Sequence, residues 1–74
     1  MAYVSTPYVW VANSRSNNVT KLDSATGEVI GTYNAGDGPW GIAIDASGNV
    51  WVANYISNNV TKLNGSTGAV IGTY

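Results

Sequence analysis

The side chains able to do chemistry in this chain are few and scattered. Its 74 residues contain no histidine and no cysteine, and the charged groups are Asp23, Glu28, Asp37 and Asp45 with Arg15, Lys21 and Lys62. Without imidazole or thiol there is no Ser-His-acid or Cys-His pair and no general base poised near neutrality. A zinc or iron site built on nitrogen or sulfur has no ligands, and no disulfide can form. The stretch "DSATGE" (Asp23–Glu28) holds two acids, but the similar stretch "NGSTGA" (Asn64–Ala69) keeps neither. A calcium cage needs more oxygen ligands at closer spacing. No catalysis, no metal and no cofactor are expected.

Recognition chemistry is better provided for. "GDGPWG" sets Asp37 and Trp40 close together, an acceptor beside an aromatic face. Either they contact a polar ligand, or Pro39 fixes a turn and Trp40 packs into a groove. Ser14 and Arg15 stand where a second copy of the same pattern has Tyr55 and Ile56. Variation confined to one loop is where a repeated scaffold would carry specificity. Trp40, Asp37, Arg15 and Tyr55 are therefore the candidate contacts for a glycan, a small polar molecule or a peptide. Trp10 and Trp51, mid-strand between apolar neighbours, are assigned to packing instead. Asn13 and Asn54 are expected to fix turns through side-chain-to-backbone bonds. The sequons "NVT" (Asn18–Thr20, Asn59–Thr61) and "NGS" (Asn64–Ser66) carry little weight, the first two being ordinary strand vocabulary.

Charged residues are 9% of the chain and the net charge is −1. Such a surface lacks the cationic footprint of a nucleic-acid binder. No basic amphipathic helix or long apolar run suits a membrane, and "MAYVSTPY" has no secretory-signal pattern. With 45% apolar residues, three tryptophans and five tyrosines, the chain should nevertheless fold.

The elements that must position these residues come in duplicate. With residue 42 set beneath residue 1, the chain aligns with itself without a gap, a period of 41 residues. "VWVAN" (Val9–Asn13) falls on Val50–Asn54, "SNNVTKL" (Ser16–Leu22) on Ser57–Leu63, and "VIGTY" (Val29–Tyr33) on Val70–Tyr74. Only the first eight positions diverge badly. A period in the low forties marks propellers and solenoids.

Val, Ile, Thr, Tyr and Trp crowd the matched segments, Asn, Gly, Ser and Asp the gaps, and no helical periodicity is present. Each copy reads as four short strands in an antiparallel meander; the second comprises Gly41–Asp45, Val50–Asn54, Asn59–Leu63 and Ala69–Tyr74. "IAI" and "VWVA" are continuously apolar, which predicts cover on both faces, whereas "NVTKL" alternates and the last strand reads as an outer edge. Burial that falls from first strand to last is the pattern of a propeller blade.

"PWGIAIDASGNVWVANYISNNVTKL" resembles the repeats of NHL, YVTN and streptogramin-lyase-like propellers, through Pro39, Gly41–Ala43, Asp45, Gly48–Asn49 and Trp51–Asn54. The first copy lacks the "PWGI…D" half. The resemblance implies that the inter-blade linker and the loops between second and third strands lie on the ligand-binding face. It does not extend to lyase activity, which is understood to depend on histidine and magnesium, and this chain supplies no histidine.

The expected fold is thus all-β, with two four-stranded blades: residues 1–33, whose first strand is shortened, a linker at 34–41, and residues 42–74. Near-identity of the copies points to recent duplication, a fragment or an engineered unit. Two blades bury one pair of faces and leave two bare. No counterpart of the linker follows Tyr74, so chains are expected to join head to tail and close a β-propeller by homo-oligomerisation, as a trimer of six blades or a tetramer of eight. An outer strand swapped between chains is the variant arrangement. The expected assembly core is Val9, Trp10, Val11 and Ala12, Ile42–Ile44, and Val50, Trp51, Val52 and Ala53. Self-assembly is the leading function and ligand binding the alternative.

Overall fold

A computed structural model describes residues 2–5 and 8–74, with side chains from Tyr8 onward. Met1, Thr6 and Pro7, which belong to the first expected blade, lie outside the described residues. Among the described residues all regular structure is extended. Sheet one contains β1 (Ala2–Ser5), β2 (Tyr8–Asn13), β3 (Asn18–Asp23) and β4 (Val29–Asn34). Sheet two contains β5 (Pro39–Ile44), β6 (Val50–Asn54), β7 (Asn59–Leu63) and β8 (Val70–Thr73). Both are antiparallel meanders of four strands in chain order, and no strand crosses from one to the other.

The repeat is reproduced down to single hydrogen bonds. In sheet one the β3–β4 turn is held by Asp23, whose Oδ1 accepts from the Ala25 and Thr26 amides. In sheet two Asn64 Oδ1 accepts from Ser66 and Thr67 in the same way. Each turn closes through a glycine at positive φ, Gly27 at 77° and Gly68 at 76°, a conformation other residues adopt only with strain. Asn17 and Asn58 take the left-handed position of the β2–β3 and β6–β7 turns, at φ 59° and 56°. Asparagine is one of the few non-glycine residues that tolerates it.

The boundaries between sheets differ from the sequence expectation. Asn34 still pairs with Asn18, so β4 runs one residue past the expected first unit. Pro39 already pairs with Asn54, with a register shift before Gly41. Proline can open a strand because the ladder there requires no donor from it. The connection proper is therefore the four residues 35–38, pinned on both sides. Gly38 N donates to Asn17 Oδ1 at 3.0 Å, and Gly36 N donates to Asn54 Oδ1 at 3.2 Å.

The core lies between the two sheets. Trp10, Ala12 and Val19 from sheet one meet Ile42, Val50, Val52 and Leu63 from sheet two, with Tyr33, Ala35 and Ile44 packed around them. The outer strands stay open to solvent: Val29, Ile30, Val70 and Ile71 are all exposed. The fourth strand of each sheet is thus its open edge, as its composition predicts, whereas in sheet two the second strand, β6, is more deeply buried than the first, β5.

Candidate functional site

β2, β5 and β6 are not covered on both faces, contrary to the expectation from their continuous apolar runs. Strand geometry sends successive side chains to opposite sides, and within the chain each sheet meets one neighbour. In sheet one the covered face carries Trp10, Ala12, Val19 and Lys21. Val9, Val11 and Asn13 alternate with them and remain half-buried on the other side. In sheet two the assignment is inverted. Val50, Val52 and Asn54, the counterparts of Val9, Val11 and Asn13, are covered, while Trp51 and Ala53 are on the open side. Of the expected assembly residues, Trp10, Ile42, Val50 and Val52 are buried in the sheet–sheet core and Ile44 packs beside it. Val9, Val11 and Trp51 stand on the two open faces.

Polar groups mark the covered contact as a specific fit. Lys21 is 5% exposed, and its Nζ donates to the Gly65 carbonyl oxygen at 2.9 Å. It also lies 3.9 Å from the centre of the Tyr8 ring and 5.3 Å from that of Trp10. The ammonium is thus satisfied by one carbonyl and two aromatic faces. Tyr33 packs on Trp10, ring centroids 6.0 Å apart, and its ring fills the space over Gly68 that a Cβ would occupy.

The open face of sheet two repeats these groups without a neighbour. Lys62 Nζ lies 5.0 Å from the centre of the Trp51 ring, and Tyr74 packs on Trp51 at 5.7 Å while remaining 67% exposed. Trp51 is further oriented by donating from Nε1 to Asp45 Oδ2 at 2.9 Å. That bond, with the Asn49 and Ser47 amides on Oδ1 and the nearby charge of Lys62, holds the Asp45 carboxyl below its ordinary range despite partial desolvation. On the far side of the Tyr74 ring a groove of about 400 Å³ is lined by Ala53, Val60, Asn58, Tyr74 and Trp40. Its sheet-one equivalent is the surface of Ala12, Val19 and Tyr33 on which sheet two sits.

The four candidate contacts gather at one end of the molecule, around the connection. Arg15 is exposed on the turn whose Asn17 holds Gly38. Asp37 is exposed and uses its backbone: its carbonyl accepts from Ile56 N, and its amide donates to Ser57 Oγ at 3.2 Å. Trp40 and Tyr55 share an apolar cleft of about 350 Å³. Trp40 does not pack into the groove between the sheets. It is the extra residue of the Pro39–Gly41 bulge, which turns its ring outward and leaves it 64% exposed, while Pro39 is buried.

Asn54 exceeds the turn-fixing role expected of it. Buried to 2% exposure, it accepts from Gly36 N and donates from Nδ2 to Asn59 Oδ1 and Thr61 Oγ1. Asn13 makes the corresponding side-chain bonds to Asn18 and Thr20. The repeated N…N-x-T spacing of "ANSRSNNVT" and "ANYISNNVT" carries this ladder in the sequence. No group of three or more Asp or Glu side chains able to hold a metal occurs among the described residues.

Residues 37–62 match the family model described as the NHL repeat. The match covers β5, β6 and nearly all of β7. Together with the antiparallel meander it fits a blade of the β-propeller type, and the 41-residue repeat extends that form to sheet one. No curated protein matches the chain.

Proposed function

We propose that this chain is a structural assembly unit, two propeller blades that associate head to tail with further copies and close into a ring. One observation carries the reading: each open face is the repeat counterpart of a face already covered within the chain. Trp51, Ala53, Val60, Lys62 and Tyr74 reproduce the side of sheet one that sheet two covers. Val9, Val11 and Asn13 reproduce the side of sheet two that does the covering. The contact between sheets is therefore a template for a contact between chains. A heterologous contact of this kind closes into a ring when its rotation divides the circle. Three chains give six blades and four give eight. The driving force is burial of apolar strand faces, and the unit serves as a scaffold without catalysis of its own.

Native mass spectrometry with light scattering tests the proposal. A discrete trimer or tetramer is expected, together with protection of Trp51 fluorescence from an aqueous quencher. A folded monomer at high micromolar concentration overturns it.

A second reading is favoured by the Trp40–Tyr55 cleft. An exposed indole beside a phenol offers flat apolar faces with polar edges, suited to stacking on a sugar ring. Glycan-array binding that Trp40→Ala abolishes would support this role. Equal binding by the variant would exclude the cleft.

A further inference from the structure

The two outer turns that the repeat superimposes differ in charge, and the difference falls where a cation would meet it. In sheet two the turn that receives Lys21 is "NGSTGA", with Asn64 and Ala69 flanking the accepting Gly65 carbonyl. In sheet one the same turn is "DSATGE", with Asp23 and Glu28 at those positions and Ser24 in place of Gly65. The turns share their backbone hydrogen bonds: Gly27 N donates to Asp23 O as Gly68 N does to Asn64 O, and Glu28 N donates to Thr26 Oγ1 as Ala69 N does to Thr67 Oγ1. The Ser24 carbonyl is therefore presented as the Gly65 carbonyl is, but with carboxylates beside it. Lys62, meanwhile, is half-buried over Trp51 on the open face of sheet two, the position Lys21 holds on sheet one.

Resting on the head-to-tail reading, we propose that Lys62 docks onto the acidic turn Asp23–Glu28 of the next copy, its ammonium bonded to the Ser24 carbonyl and paired with Asp23. This ion pair belongs only to the junction between chains, because the junction within the chain meets a neutral turn. Its consequence is polarity. Two Lys62 faces brought together repel, as do two Asp23–Glu28 faces, and only the head-to-tail order brings opposite charges into contact. The second copy is thus selected by charge as well as by shape. The turn uses Asp23 Oδ1, and among the described residues no hydrogen bond engages Oδ2.

Asp23→Asn gives the first turn the capping residue that the second already has, so the fold should survive it. Lys62→Met keeps the apolar stem over Trp51 and removes the charge. The oligomer–monomer equilibrium of the full chain, measured by sedimentation velocity at low and high salt, reads both variants and the double variant. Expected are weakening of about tenfold for Lys62→Met and roughly two- to fivefold for Asp23→Asn. The double variant should lose less than the product of the two, and its assembly should respond to salt less than that of the wild type. A ring with unaltered assembly in both single variants, or with fully multiplicative losses, overturns the ion pair and leaves the head-to-tail reading standing. A wild-type chain that stays monomeric overturns both.

Discussion

Trp10 and Trp51 occupy the same position of the same strand in near-identical sheets, with the same kinds of partner, and differ in what covers them. Trp10 is 2% exposed, roofed by the other sheet, with Lys21 and Tyr33 on either side. Trp51 has its own lysine and tyrosine and no roof. The chain thus holds one completed contact between its sheets and leaves the repeat counterparts of both contacting faces open. A side chain's local partners come from its own meander, whereas its burial comes from whatever stacks on the sheet.

The sharpest way to break the comparison is to delete each indole. Trp10→Ala should destabilise the fold by ~3–5 kcal/mol, as large core truncations do, visible as a large drop in the urea midpoint. Trp51→Ala should cost the isolated chain well under half of that and instead abolish its association. Equal losses from both would mean that the two faces are covered alike.

The glycines offer a second contrast. Gly27→Ala introduces only the strain of a side chain at φ 77°, ~1–2 kcal/mol, with no added clash, since nothing lies near its missing Cβ. Gly68→Ala should cost a further ~1–3 kcal/mol by overpacking against the Tyr33 ring. Thermal melts of the two variants side by side read the difference, and a ring should narrow it, since Tyr74 of one copy then lies over Gly27 of the next.

The asparagine ladder is the third. Asn54→Ala strips the Gly36 amide, Asn59 and Thr61 of a buried partner and should cost ~1–3 kcal/mol. Asn13→Ala, on the open face, should cost ~0.5–1.5 kcal/mol, so chemical denaturation should rank the two in that order.

The smallest effect is titration of Asp45. Its folded carboxyl titrates below the ordinary range, chiefly through the Trp51 indole. It therefore contributes stability above the unfolded-state value, and that contribution is lost as pH falls through the lower folded value, at roughly pH 4 and below. Melting temperatures of wild type and Asp45→Asn should differ near neutrality and converge in that acid range. A constant gap across the range would remove Asp45 as the cause.

Much of this was legible in the residues. The 41-residue repeat, the short β-branched and aromatic runs and the Asn and Gly turns specify two meanders, because turn conformation and strand periodicity are local properties. The outermost strands, mixed and glycine-bearing, are exposed as their composition implies. Trp40 was less legible, since a bulge is set by pairing register rather than by the residue that occupies it. Asn54 was legible as a strand end but not as the anchor of the connection, whose amide comes from 18 residues away.

What the sequence by itself determined is therefore the sheet: strand order, turns, and which residues alternate with which. What only the tertiary structure decided is the side each sheet shows its neighbour. "VWVAN" is the same text in both copies, yet one buries Trp10 and Ala12 and the other Val50, Val52 and Asn54. Alternation of side chains is written along a strand, but the hydrophobic contribution of a face depends on what removes it from water. That is a property of the stack, which identical strands cannot encode individually.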